Sequence, residues 1–415
     1  MGYNISVKEI KDVICVLIQF KVANYRSIKD QVVLSMLASK DQDHSEHLID
    51  TGAKDKYLKS SIIYGANASG KSNVLLAFYF MVNYVLTSHE KQLNIPTGRI
   101  PFKFDPSTPE EPSVFEVVFI ADQVKYVYGF SADDKKIIDE YLYAYPKGRK
   151  AVIFERTNTD IYRFTADVDL QESLKERNTA NKLYLSTAAN WNYKKVLPVF
   201  NWFSSCQVLN TGIERAYGVN GADLLDDKYR EKIAQLLRIA DFGIQALNIK
   251  DGPQSFTGVI TGILDNVEAV HQVKNADGEF AMYPLSMAEE STGTNTYFRL
   301  IGEIEKALQT GCLLVADEMD AYLHPLLTQH LVSLFNSTEN NPLGAQLIFC
   351  SHNTNFLNLD LMRRDQIWFT EKDENTGATD LYSLVDFSVR KEAKVEKGYL
   401  LGRYGAIPFI KGGRR

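Results

Sequence analysis

The chain is poor in the residues that hold small secreted domains together. Its 415 residues include four cysteines, Cys15, Cys206, Cys312 and Cys350, widely spaced and mostly set in apolar runs. That pattern excludes a disulfide frame or a cysteine metal site and predicts buried free thiols. No uninterrupted apolar run approaches the roughly eighteen residues of a membrane span. The N-terminus, MGYNISVKEIKDVICVLIQF, lacks the basic-then-apolar plan of a signal peptide, so a cytoplasmic protein with no membrane partner is expected. There is no internal repeat and no extended low-complexity tract. Nor is there a basic excess: the net charge of −6 argues against a surface built throughout to hold nucleic acid. What remains is an ordinary soluble composition, 45% apolar and 24% charged, in a chain long enough for two or three domains.

The stretch GANASGKSN, residues 65 to 73, stands between the apolar run Ser61-Ile62-Ile63-Tyr64 and a segment suited to a helix. Its spacing fits G-x-x-x-x-G-K-[ST] through Gly65, Gly70, Lys71 and Ser72. A strand entering such a loop and a helix leaving it set phosphates against a helix N-terminus. Lys71 then reaches the β- and γ-phosphates of ATP, Ser72 ligates Mg²⁺, and Asn67 and Gly70 belong to the same cradle. A glycine-rich turn with no ligand would fit the same letters, so the partners of the loop decide.

Residues 16 to 38 alternate on both sides of a polar centre and predict two antiparallel strands joined at Ser27 to Asp30. Alternation at Val114 to Ile120, Val124 to Phe130 and Ala151 to Phe154 predicts more of an antiparallel sheet. From Leu170 to about Ile249 the spacing turns helical, with Ile233, Leu236, Leu237 and Ala240 in one stripe. Short apolar runs at Cys312 to Ala316 and Gln346 to Cys350, separated by a helical segment from Leu326 to Phe335, predict buried parallel strands. The expected fold class is α/β. The expected division is an extension (1–15), the N-terminal half of a head (16–165), a mostly helical insertion (166–284), the C-terminal half (285–389) and a basic tail (390–415).

The apolar strand Leu313-Leu314-Val315-Ala316 ends in Asp317 and Glu318. These are the two carboxylates a Mg²⁺–ATP site needs, Asp317 for the metal and Glu318 to orient and deprotonate water. A strand followed by an acidic turn is the plain alternative, but it leaves the next strand unexplained. That strand ends in Cys350-Ser351-His352-Asn353, which puts His352 where α/β sheets build their sites and suits it to sensing a γ-phosphate. Upstream, Glu290-Ser291-Thr292-Gly293-Thr294 opens a helical segment, a second anion-binding N-terminus or a simple hydroxyl cap. One nucleotide does not need two such N-termini in one subunit, whereas two subunits facing head to tail would use both.

In this order the motifs resemble the ABC-type P-loop ATPase head of chromosome-maintenance, recombination-repair and OLD-family proteins. FKVANYRSIKD, GANASGKSN, ESTGT, DEMDAYLHP, IFCSHNTNFL, RRDQIWFTEKD and GRYGAIPFI are most similar to the bacterial abortive-infection ATPases, RloA/AbiL-like and PARIS-type. The resemblance implies a mixed sheet with an antiparallel N-terminal β-subdomain. It makes Lys71 and Ser72 the Walker A contacts, Asp317 and Glu318 the Walker B pair, Ser291 and Gly293 the signature, Asp320 the D-loop residue and His352 the switch histidine. It sets Arg26 beside the nucleotide. The signature departs from the pattern, with Thr292 in place of its first glycine, and no Q-loop glutamine is evident where IPFKFDPST lies. About forty-five residues follow Gln366-Ile367-Trp368-Phe369, too few for a Toprim nuclease domain.

The resulting expectation is an ATPase that acts as a sensor and switch in anti-phage defence. It would work as a homodimer or higher homo-oligomer with ATP between heads, controlling a separately encoded effector such as a Toprim-like nuclease. The alternative is a repair-type ATPase that clamps DNA directly, and a nucleic-acid partner is left open. Residues 390 to 415 hold eight basic and two acidic residues. The stretch EKGYLLGRYGAIPFI within them suits either a docking surface or a terminal segment that completes the core.

Overall fold

The computed structural model describes residues 15–209, 223–240, 243–250 and 261–408. The expected N-terminal hairpin is β1 (Val16–Ala23) and β2 (Val32–Ser35), antiparallel with Gln19 opposite Ser35 and Val22 opposite Val32. A short ribbon, β3 (Leu48–Asp50) and β4 (Lys56–Leu58), leads into β5 (Ser60–Gly65), which is buried along its whole length. The phosphate loop follows, and then α1 (Lys71–Thr87). This helix is apolar around most of its circumference because it lies between two sheets. Phe78 meets Phe20 edge-on at 5.3 Å, and one cluster joins it to Ile63, Val315 and Ile348.

Five more strands follow: β6 (Ser113–Ala121), β7 (Val124–Ala132), β8 (Ile137–Tyr145), β9 (Ala151–Thr157) and β10 (Ile161–Phe164). With the first two they make an antiparallel sheet in the order β10-β9-β8-β7-β6-β1-β2. Helices α2 (Val168–Lys175), α3 (Tyr184–Asn190) and α4 (Leu197–Ser205) come next, and α4 stacks Trp202 on Phe119 at 4.1 Å. Strand β11 (Gln207–Leu209) then joins the second sheet.

In α5 (Asp227–Ile239), Ile233, Leu236 and Leu237 are buried, as their spacing requires, and Asp226 caps the helix by accepting from Tyr229 N. The helical reading overshoots beyond this point. Residues 244–249 are strand β12 (Ile244–Ile249), and after α6 (Thr261–Asn266) it pairs in an antiparallel sheet with β13 (Val267–Lys274) and β14 (Phe280–Ser286). In a six-residue stretch with apolar Ile244, Ala246, Leu247 and Ile249 the apolar positions suit a helix face and a strand alike, and cross-strand pairing decides between them.

After α7 (Thr292–Thr310) comes β15 (Leu313–Ala316), then α8 (Pro325–Asn336), β16 (Gln346–Cys350), β17 (Ile367–Lys372) and β18 (Thr379–Ser383). The second sheet runs β11-β15-β16-β5-β17-β18, parallel except for β18. The mixed α/β class is as expected, with a parallel nucleus joined to an antiparallel subdomain. All four cysteines are free thiols, two of them buried. Among the described residues no helix is long and apolar enough to cross a membrane.

The chain closes with α9 (Val395–Leu400), whose neighbourhood settles one open reading. Tyr399 and Tyr404 are buried and stack on Phe369 at 5.6 and 6.0 Å, and Tyr404 O accepts from the Tyr382 hydroxyl at 2.8 Å. Tyr404 therefore completes the core, and the docking reading fails for it because its ring is spent on Phe369. Leu400, Leu401 and Arg403 remain exposed. Phe409, Ile410 and the last basic residues, like residues 1–14, lie outside the described part. Tyr404→Ala is expected to destabilise the fold by about 3 kcal/mol, as a buried aromatic lost from a packed core does. Urea unfolding measures this, and an unchanged midpoint would contradict the packing.

Candidate nucleotide-binding site

At the end of β5 the chain turns through Ala66, Asn67, Ala68 and Ser69 to Gly70, the N-cap of α1. Each glycine has its own reason. A Cβ on Gly65 would lie 2.6 Å from the Thr370 carbonyl oxygen. Gly70 has a φ of 112°, and a Cβ there would meet Thr379 Cβ at 2.8 Å. The N–H groups of Lys71 and Ser72 at the start of α1 have no intrahelical acceptor and carry the positive end of the dipole. Lys71, buried, bends back over the loop, and its Nζ donates to Gly65 O at 2.8 Å and Ala66 O at 3.1 Å. Burial holds its pKa below the usual lysine range, while the charges of Asp317, Glu318 and Asp320 oppose the shift.

Those carboxylates stand at the end of β15, two strands away from β5. Asp317 is 8% exposed, and its Oδ1 is buried with no hydrogen-bond partner. An orphaned carboxylate oxygen is costly, and together with the half-buried Ser72 hydroxyl it fits a hard cation such as Mg²⁺. Glu318 is exposed and has a φ of 49°, a left-handed conformation that a glutamate adopts at a cost of about 1–2 kcal/mol. Asp320 Oδ2 accepts from Ser351 Oγ at 2.7 Å and Asn353 N at 3.2 Å, which ties the loop after β15 to the loop after β16. His352, between those two donors in sequence, is exposed and lines a cavity of about 1160 Å³ together with Asn67 and the rest of Gly65–Ser69.

Arg26 lies in the turn after β1 with a φ of 53°, and its backbone N–H donates to Ile100 O at 2.7 Å. Its Nε is buried without a partner. The neighbouring Ser27 stitches this turn to the loop. Ser27 Oγ accepts from Asn73 Nδ2 at 2.6 Å, and Ser27 O accepts from Thr379 N at 2.7 Å. The segment IPFKFDPST braces the same turn, with Phe102 N donating to Asn24 Oδ1 and Asn24 Nδ2 to Thr108 O.

Ser291 caps α7 by accepting from Thr294 N at 3.1 Å, and a Cβ on Gly293 would lie 3.2 Å from Tyr322 O. The structure thus gathers Lys71, Ser72, Asp317, Glu318, Asp320 and His352 at the C-terminal ends of β5, β15 and β16, with the Arg26 turn alongside. Gly293 packs by the Asp320–Tyr322 turn; of the site residues read from the sequence only His352 and those within Gly65–Ser69 line the cavity.

The sequence reading missed the residues that hold the loop in shape. Ser69 Oγ lies 2.7 Å from Thr370 Oγ1, and Thr379 Oγ1 donates to Ser69 O at 2.9 Å. Both threonines flank the β17–β18 hairpin, whose turn residues Asp373, Glu374 and Asn375 form a further cavity wall. The Asn375-Thr376-Gly377 turn between alternating runs was the available signal.

No curated protein sequence matches the chain. Among solved structures it is similar to the SMC head domain from Thermotoga maritima, at 11% identity, a TM-score of 0.39 and coverage of 88% of this chain and 98% of that one. It is similar also to the recombination mediator protein RecF with ATP, at 13% identity, a TM-score of 0.35 and coverage of 92% and 100%. Residues 60–358, from the first residue of β5 to a point past β16, match the family model described as "AAA domain, putative AbiEii toxin, Type IV TA system", and the chain belongs to that family.

Proposed function

We propose that this AAA-family ATPase hydrolyses ATP with Mg²⁺ between two copies of its head, and that the state of the heads controls a separately encoded toxic effector during phage attack. The observation that carries the chemistry is the pairing of a buried, unpartnered Asp317 Oδ1 with a lysine folded over the phosphate loop. Mg²⁺, when bound, supplies charge neutralisation at the β- and γ-phosphates. Ser72 and Asp317 would hold it. Lys71 exchanges the loop carbonyls for phosphate oxygens, and Asn67 and Gly70 shape the cradle. Glu318 orients and deprotonates the attacking water, and His352 contacts the γ-phosphate from the far side of the cavity. Arg26, with its Nε unpaired, adds positive charge beside the nucleotide.

The position of Ser291 supports a site shared by two copies. It sits at an exposed helix N-terminus, where it can meet the γ-phosphate held by a second copy, with Gly293 letting the backbones approach and Asp320 at the seam. The toxin–antitoxin system in the family description supports a role in defence; the class of effector in this proposal is a Toprim-like nuclease.

Dilution tests this arrangement. Turnover per subunit is expected to fall as protein concentration drops, and Ser291→Arg is expected to lower turnover at least about tenfold while the first ATP still binds. Concentration-independent turnover together with a silent Ser291→Arg would remove the shared site.

A further inference from the structure

The turn before β3, Asp41-Gln42-Asp43-His44-Ser45-Glu46-His47, takes no part in the nucleotide site, yet it holds two of the seven histidines. His44 has a φ of 50° and opens a single 3-10 turn, Ser45–His47, which brings both rings to one side. The rings stack with centroids 4.8 Å apart. Each is oriented from behind: His44 Nε2 lies 2.8 Å from Leu359 O, and His47 Nδ1 lies 2.9 Å from Gln366 Oε1. Gln366 Nε2 donates to Ser60 O, so its Oε1 is fixed as the acceptor facing His47. These oxygens only accept, so His44 Nε2 and His47 Nδ1 carry the protons, leaving lone pairs on His44 Nδ1 and His47 Nε2.

Both of these nitrogens lie near one carboxylate oxygen. Glu46 Oε1 is 3.3 Å from His44 Nδ1 and 3.7 Å from His47 Nε2, and the three atoms all lie within 4.8 Å of one another. A tetrahedral cation with bonds of about 2.1 Å spaces neighbouring ligand atoms roughly 3.4 Å apart, close to the two Glu46 distances. The neighbouring carboxylates of Asp41 and Asp43 are occupied by Arg364 and Lys391. Cavities of about 350 and 390 Å³ flank the cluster, and His44 and Asp360 line both, which gives an ion a way in.

We propose that His44, Glu46 and His47 form a site for Zn²⁺ or a similar borderline divalent cation, bound through two imidazole nitrogens and one carboxylate oxygen, with water in the fourth position. Through Leu359 and Gln366 the ion clamps this turn to the segment that enters β17, a direct neighbour of the phosphate-loop strand. It is a structural clamp, separate from the Mg²⁺ site.

The test uses the untagged full chain, stripped with a chelator, without nucleotide. Co²⁺ is expected to bind at one equivalent with the strong visible absorption of a tetrahedral site, and Zn²⁺ to displace it. Zn²⁺ in excess is expected to raise the melting temperature by at least about 3 °C. Glu46→Gln, at a half-exposed position that does not threaten folding, and His44→Ala are expected to lose both effects, whereas Asp317→Asn keeps them. Absence of the Co²⁺ band and of the melting shift would overturn the site. So would a band that survives in both Glu46→Gln and His44→Ala, or one that Asp317→Asn removes.

Discussion

Lys71→Ala is expected to weaken ATP binding at least about a hundredfold, since a charge-assisted contact to phosphate contributes on the order of 3 kcal/mol. The fold should survive, because the ammonium is held only by two carbonyls of its own loop, Gly65 and Ala66, and an alanine in the first turn of α1 suits the helix. Calorimetric titration with ATP and Mg²⁺, alongside a melting curve, separates the two effects. An unchanged dissociation constant would mean that the loop does not hold the phosphates. A variant that binds ATP normally but melts much earlier would make Lys71 a structural residue.

Glu318→Gln should do the opposite. Binding is expected to persist while turnover falls about a thousandfold, within the range a positioned general base contributes. The side chain is exposed and its backbone conformation is set by the end of β15, so the amide replaces the carboxylate with no change in packing. With the base gone, the ATP-bound pair of heads should accumulate. Size measurement with ATP is expected to show a long-lived dimer in Glu318→Gln that the wild type forms only briefly. Equal phosphate release by the two proteins would remove Glu318 from the chemistry, and a stalled enzyme that stays monomeric would count against ATP held between heads.

The parts of the fold legible in the sequence were those fixed by neighbours in the chain. The loop from Gly65 to Ser72 is one such part, since its glycines, lysine and hydroxyl lie within eight residues of one another. The apolar strands ending at Ala316 and Cys350 are another, because a strand buried on both faces advertises itself by composition. What escaped depends on distant pairing. Ser69 is locked by Thr370 and Thr379, roughly three hundred positions away, and no local pattern marks a threonine as a loop's acceptor or donor. Strands β12 to β14 carry short runs that only cross-strand pairing settles. The C-terminal aromatics had the composition of an exposed anchor and of a core equally, and Phe369 decided between them.

That lock has a consequence for how the protein is made. Ser69 and Thr379 are 310 residues apart. At synthesis rates of roughly 5 to 20 residues per second, about 15 to 60 s separate the emergence of the phosphate loop from that of the hydroxyl that holds it. During that interval the loop, the Arg26 turn and α1 exist without the strand that stitches them together. The lock on the phosphate loop closes only when β17 and β18 arrive, so a nascent chain carries that loop without the hydroxyl that holds it until Thr379 has been made.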